Sequence, residues 1–280
     1  ALPYTEEDLE PLAKEVIQSQ TAVTGVQAKL SLHITGNNKE NSERRYTLVG
    51  LWGGYILKPP TALYPQLPEV EDVTMHLAQL AKIKTVPHSL MRLQSGNLAY
   101  ITKRIDRTKK GKLAMEDMCQ LTERLTEDKY HGSYEQIAKA IQKHSVTPGL
   151  DVVNFFELVL FSFLTGNADM HLKNFSLLEQ PGLGMTLSPA YDLVNTALVN
   201  PADEEEMALT LNGRKKKLKK QDFVAAMNTL KLEEKQQENI FNKMEKALPK
   251  WQELIDRSFM STEFKEQYKT IVTERMNRLQ

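Results

Sequence analysis

Cysteine is nearly absent. Among 280 residues only Cys119 carries a thiol, so no intramolecular disulfide can form, as expected of a chain kept in a reducing cytoplasm. Cys119 itself is expected to be buried and structural. A charge excess is lacking as well, since 36 basic side chains balance 36 acidic ones. Without a global basic surplus, no direct contact with nucleic acid and no attraction to an anionic membrane is expected. No long apolar run is present. The longest, 155–164, is about half of the ~20 residues that span a bilayer and contains Glu157 and Ser162, so it reads as a buried core helix. Residues 1–15 show neither a basic stretch nor an apolar one, so no signal peptide is expected and the chain reads as soluble and cytoplasmic. Also missing are the pattern G-x-x-x-x-G-K, which excludes a Walker A loop, and any internal repeat or low-complexity tract.

What is there suits one large domain or two lobes sharing a cleft. Thr5 caps a helix that should end near Ser19, with Leu9, Leu12, Ala13, Val16 and Ile17 at helical spacing. Strands are expected at 29–34, 45–49, 55–58, 89–93 and 98–102, separated by turn residues such as Gly53-Gly54 and Ser95-Gly96-Asn97. One helix, 69–83, interrupts them. Beyond Asp106-Arg107 the pattern turns helical: 115–124, 133–143, 152–164, 220–230, 233–246, 251–258 and 262–279, with strand-like pieces at 175–178, 185–187 and 207–211. The expected fold class is α+β and bilobal. A small antiparallel-sheet lobe over 1–105 precedes a mostly helical lobe over 106–280, the organisation of a protein kinase.

The chemistry-bearing residues fall in a matching order. In Asp169-Met170-His171-Leu172-Lys173-Asn174 the acid and the amide are five apart, the spacing of a kinase catalytic loop. One carboxylate must orient or deprotonate an acceptor hydroxyl, and a nearby amide oxygen must hold Mg²⁺. Asp192, beyond an expected hairpin, supplies the second hard oxygen ligand that Mg²⁺ prefers. It lacks the Phe-Gly that follows in eukaryotic kinases. Lys58, at the end of the strand Tyr55-Ile56-Leu57, offers a fixed charge to ATP phosphates. Its expected acidic partner on the inserted helix is Glu71, with Glu69 as the competitor. The segment Thr24-Gly25-Val26-Gln27-Ala28-Lys29 can cradle phosphate with its backbone N–H groups.

At this point the sequence resembles the HipA family of bacterial toxin kinases. The matching stretches are TGVQAKLSL (24–32), YILKPP (55–60), LPEVEDVTMHLA (67–78), YITKRIDR (100–107), MEDMCQL (115–121), HGSYEQI (131–137), FLTGNADMHLKNFSLL (163–178) and SPAYDLVNT (188–196). The resemblance implies a two-lobed, ATP- and Mg²⁺-dependent Ser/Thr protein kinase. By position, Asp169 looks like the catalytic base, Asn174 and Asp192 like the Mg²⁺ ligands, and Lys58 like the ATP-phosphate lysine. Lys103, Arg104 and Ile105 look like the hinge that meets adenine, with Tyr191 lining the pocket. Known family targets are aminoacyl-tRNA synthetases, and a DNA-binding antitoxin usually neutralises such toxins. The chain looks like the short, HipT-like form, in which a separate small protein supplies an N-terminal subdomain found in longer members. Where many members carry an autophosphorylated Ser, this chain has Ala22, with Thr21 and Thr24 as substitutes.

His171 inside the catalytic loop is a candidate for contact with phosphate or Asp192. The other five histidines, including His33, His76 and His144, lack metal-ligand spacing and are expected to be surface or structural. The basic run at 214–220 reads as a solvated turn that the acidic run at 203–206 can offset, with contact to tRNA, DNA or an acidic partner as the alternative, and Trp52 and Trp251 read as packing residues. Two other functions compete with an active toxin kinase: a catalytically silent ATP-binding pseudokinase in an antitoxin/repressor complex, and a small-molecule kinase. The sequence shows no sugar or lipid pocket signature.

Overall fold

The computed structural model describes residues 2, 4–9, 11, 29–35, 45–49, 53–109 and 111–280. The expected phosphate loop (24–28), Trp52 and most of the first expected helix lie outside these residues. A five-stranded antiparallel sheet is ordered β2-β1-β3-β5-β4. It comprises β1 (Leu30–Thr35), β2 (Arg45–Val49), β3 (Tyr55–Lys58), β4 (His88–Arg92) and β5 (Leu98–Lys103). Side chains alternate across it. Leu57, Ala99 and Ile101 join Leu2, Leu9, Leu30 and Leu32 in a small apolar cluster on one face. Lys58 and Tyr100, one residue out of phase and paired across β3 and β5, therefore face the other side.

That other side is covered by α1 (Leu67–Leu80), whose Val70, Val73, Leu77 and Ala78 enter the main core with Tyr100. The helix begins two residues before the expected start, because Pro68 sits in its first turn, where the missing N–H costs nothing. Hydrogen bonds tie α1 to the C-terminal helices α7 (Glu234–Arg257) and α8 (Thr262–Asn277). Trp251 Nε1 donates to the Leu77 carbonyl at 2.8 Å, Thr74 and Tyr268 share a hydroxyl bond at 2.8 Å, and the Ser261 N–H donates to Gln66 Oε1 at 2.6 Å. The helix under the sheet is thus fixed to the helical body.

Three expectations need correction. Residues 115–124 are not one helix: β8 (Met115–Asp117) pairs with β9 (Ser176–Gln180), and α2 (Met118–Leu121) follows. Asp117 makes the break, because its carboxylate accepts the Gln120 N–H while Gln120 reaches back to the Asp117 N–H. The helices expected at 233–246 and 251–258 are one helix, α7, running through Pro249. Pro249 is exposed, and the carbonyl it strips of a partner belongs to exposed Glu245, where water can take the bond. Residues 207–211 are not a strand, since only Thr210 and Leu211 form isolated bridges, although Met207, Ala208, Leu209 and Leu211 are buried. The short hairpin β6–β7 (Arg107–Thr108, Gly111–Lys112) and the single turn α5 (Thr196–Val199) were not expected.

The remaining helices are α3 (Tyr134–His144), the central α4 (Pro148–Leu164) and α6 (Lys220–Thr229). α4 is apolar nearly all round because other elements surround it, with Phe155, Phe156, Val159, Leu160 and Phe163 fully covered. It ends at Gly166, whose φ of +76° favours glycine, and a Cβ there would meet Asn195 Oδ1 at 2.4 Å. Cys119 is buried, and burial raises its thiol pKa. Among the described residues, no helix is long and apolar enough to cross a membrane.

Candidate active site

Two elements meet above α4: the end of β3 with α1, and the loop that leaves α4. Lys58 is the last residue of β3 and only 4% exposed. Its ammonium group donates to Glu71 Oε1 at 2.5 Å and also to Asp192 Oδ1. Of the two acids on α1, Glu71 is the one that reaches Lys58; Glu69 forms no ion pair among the described residues. Lys29, just before β1, donates to the second carboxylate oxygen of Asp192 at 3.1 Å. Asp192 adopts a left-handed backbone, φ +60°, a conformation Asp tolerates better than most residues.

Burial sets the charges. It opposes ionisation of Asp192, but Lys29 and Lys58 outweigh it and hold this carboxyl well below the usual range. Burial dominates at Glu71 and pushes it up to about 7, against the pull of Lys58. Burial would also discharge Lys58, yet Asp192 and Glu71 more than offset it and raise its pKa. The result is a buried ammonium shared by a firmly ionised aspartate and a glutamate poised near neutrality.

The loop after Gly166 is a network of short bonds. The Asp169 N–H donates to Asn167 Oδ1 at 3.1 Å, and the Ala168 N–H to Thr196 Oγ1 at 2.7 Å. The Asp169 carbonyl accepts the His171 N–H and Asn174 Nδ2, both at 2.8 Å. Asn174 closes a 3-10 turn, Leu172–Asn174. Its amide nitrogen is committed, and among the described residues none bonds its Oδ1. The Asp169 carboxylate accepts the Tyr130 hydroxyl at 2.6 Å. Tyr130 stands edge-on to His171, ring centroids 5.0 Å apart. Burial lowers the His171 pKa against the pull of Asp169, and Nδ1 of this buried ring has no hydrogen-bond partner.

Asn174 and Asp192 are linked through the β9–β10 hairpin (β10 is Gly184–Leu187), which pairs Leu177 with Leu187. Tyr191, just before Asp192, donates its hydroxyl to the Lys173 carbonyl at 3.0 Å and shares a 2.5 Å bond with Ser176 Oγ. Its phenol is therefore committed to the loop. Lys173 in turn pairs with Asp117 at 2.6 Å. The expected hinge follows β5: the Lys103 N–H donates to the Pro87 carbonyl and the Arg104 N–H to Gly54, both at 2.9 Å, while Ile105 packs on the main core. Arg104 and Arg107 both grip buried Asp106. The structure thus brings Lys29, Lys58, Glu71 and Asp192 together. Thr24, Gly25, Val26 and Gln27 lie outside the described residues.

The donor set fits a magnesium-bound nucleotide. Asp192 and the Oδ1 of Asn174 are hard oxygens, the kind Mg²⁺ prefers, with no thiolate nearby to favour a softer metal. Lys29 and Lys58 are point charges suited to phosphate. Sequence reasoning missed Tyr130, because nothing in its spacing marks a residue that folds back onto the loop. It also missed a cluster of Asp72, His76 and His88. Spacing along the chain excluded His76 as a ligand, but His88 arrives from the neighbouring strand.

A family model described as the HipA-like C-terminal domain matches residues 21–251. Y4dM of Sinorhizobium fredii, provisionally named a kinase, is 33% identical over 210 residues, covering 70% of this chain and 50% of that protein. A Haemophilus influenzae protein with a similar provisional kinase name is 28% identical over 209 residues, 70% of this chain and 58% of that protein. The chain thus spans about half the length of the curated relatives it matches. Among solved structures, HipA of the Shewanella oneidensis MR-1 toxin–antitoxin system, in complex with HipB and its operator DNA, matches at a TM-score of 0.74. The identity is 21%, over 95% of this chain and 70% of that one. The Helicobacter pylori proinflammatory kinase CtkA matches at 0.62 with 17% identity, over 89% and 93%. These likenesses establish a kinase-like α+β fold.

Proposed function

This chain belongs to the HipA-like C-terminal domain family, and from that premise we propose that it is an ATP- and Mg²⁺-dependent protein kinase acting on Ser or Thr hydroxyls. The observation that carries the reading is Lys58, held in a buried position between Glu71 of α1 and Asp192 beyond the hairpin. A strand lysine paired to a helix glutamate is the arrangement that presents a fixed charge to nucleotide phosphates. On this reading residues 1–105 form the small lobe and 106–280 the large one, with ATP between them and its adenine at Lys103, Arg104 and Ile105.

Mg²⁺, held by Asn174 and Asp192, would supply neutralisation of phosphate charge. Lys58 and Lys29 now satisfy Asp192, and they would turn towards the phosphates as that carboxylate becomes a metal ligand. Phosphate oxygens would replace the carboxylate as anionic partners, so the lysines need not be buried unpaired. Asp169 orients the acceptor hydroxyl, a role supported by its carboxylate accepting the Tyr130 hydroxyl at 2.6 Å. His171, whose pKa burial lowers, packs against Tyr130 beside it. Catalysis is then positioning and charge stabilisation.

The HipA–HipB–DNA structure supports a toxin role with a DNA-binding antitoxin as partner, and the family resemblance suggests an aminoacyl-tRNA synthetase as substrate. The test is transfer of labelled γ-phosphate into a lysate of the host, followed by mass spectrometry of the labelled protein. Label on Ser or Thr of a translation factor supports the reading. Label confined to a small molecule would replace it with small-molecule kinase activity.

A further inference from the structure

Glu71 and its neighbour Asp72 point to different partners. Glu71 meets Lys58, while Asp72, only 8% exposed, faces two histidines. His76 lies one turn further along α1, and His88 opens β4. The Asp72 Oδ1 to His88 Nδ1 distance is 3.4 Å, and Asp72 Oδ2 to His76 Nε2 is 3.7 Å. One ligand atom from each residue lies within 4.8 Å of the other two. Ligands around tetrahedral zinc at ~2.0–2.1 Å stand about 3.3–3.4 Å apart, so shifts of a few tenths of an ångström bring two of these contacts to ligand spacing.

The heavy-atom partners of His76 and His88 are compatible with a cation here. His76 Nδ1 stands 3.0 Å from Gln79 Oε1 and donates to it. In the neutral ring Nε2 is then a bare lone pair, directed at the Asp72 carboxylate with no donor between them. In that tautomer two acceptors face each other, an arrangement that a bound metal or a proton on Nε2 relieves. An outer amide fixing the tautomer of a ligating imidazole is the usual support of such sites. His88 donates to Asp72 through Nδ1 while its Nε2 faces the Gln79 amide nitrogen at 3.2 Å. Ligation by His88 Nδ1 would move its proton to Nε2, and the Gln79 amide would turn from that ring towards Thr85, which it already reaches at 3.0 Å.

We propose that Asp72, His76 and His88 bind a divalent transition metal of the zinc class, joining α1 to β4. Two imidazoles and one carboxylate suit Zn²⁺ or Co²⁺ and disfavour Mg²⁺. His88 and Asp72 are enclosed, whereas the His76 side chain is 42% exposed and gives the ion its way in. The site shares backbone with Glu71, so the metal would stiffen the helix that holds the Lys58 ion pair. It is independent of the kinase reading, because its ligands bind metal whether or not phosphate is transferred.

The test is a Co²⁺ titration of tag-free protein in excess Mg²⁺, which occupies oxygen-only sites, followed by visible absorption and thermal melting. The expected result is one equivalent of Co²⁺ with tetrahedral d–d bands, displaced by Zn²⁺, and a raised Tm. His76→Ala should lose this binding while keeping the metal-free Tm, since His76 is the exposed ligand. His88→Gln tests the third ligand and should lose the tetrahedral bands. Absence of saturable Co²⁺ binding by the unaltered chain, or binding that survives both substitutions, would overturn the proposal.

Discussion

At the scale of single residues, Lys58 answers to two carboxylates whose proton affinities are displaced in opposite directions. Glu71 rises from its ordinary 4.5 to about 7, mainly through burial. A folded pKa above the unfolded one means that its contribution to stability is complete below pH 4.5 and is lost as pH rises through about 7. Asp192 is lowered, so its contribution is complete above its ordinary 3.8 and stays constant over this window. His171 is lowered and adds stability as pH rises, equally in any variant that leaves it intact. The wild-type Tm should therefore decline between pH 5 and 8 relative to Glu71→Gln, and equal slopes would show that Glu71 does not titrate there. Tyr130 gives a second prediction. Removing its hydroxyl in Tyr130→Phe frees the Asp169 carboxylate, so the KM for the protein acceptor should fall. Stability should change by about 1 kcal/mol or less, because the bond is solvent-exposed. A raised KM would mark Tyr130 as part of the acceptor site instead. The partners of these side chains were legible to different degrees. Lys58 and Glu71 could be paired from a strand end and a helix face, whereas Tyr130 and His88 reach their clusters through tertiary packing that no local spacing records.

At the scale of elements, legibility followed the strength of local signals. The strands 45–49 and 55–58 were read with the bounds they have, because turn residues and alternation agree there. Residues 115–124 misled, because their apolar spacing suits a helix while Asp117 caps one only from its own position and Met115 pairs with Leu178. Pro249 misled in the other direction. A proline signals a helix break, but amphipathic packing of Ile240, Met244, Ala247, Trp251 and Ile255 carries α7 across it. That helix should gain from Pro249→Ala, which restores the lost backbone bond on the exposed face. A stabilisation of about 1 to 3 kcal/mol is expected in urea unfolding. No gain would mean that the proline's restriction of the unfolded chain offsets the missing bond.

At the scale of the molecule, the strand-to-helix order along the sequence anticipated an antiparallel sheet set on a helical body. It did not reveal that α1 would be bolted to α7 and α8 through Leu77, Thr74 and Gln66. Those partners stand more than 170 residues away, at Trp251, Tyr268 and Ser261, beyond the reach of any periodicity. The consequence is functional, because the same helix holds Glu71 against Lys58. On this reading the site around Lys58 binds nucleotide and also transfers phosphate. The most direct test compares wild type with Asp169→Asn, measuring Mg-ATP affinity and γ-phosphate transfer in the same preparations. Similar Kd values are expected, with transfer lost in the variant. Tight binding without transfer by either protein would indicate a silent scaffold, and undiminished transfer by the variant would contradict the role given to Asp169.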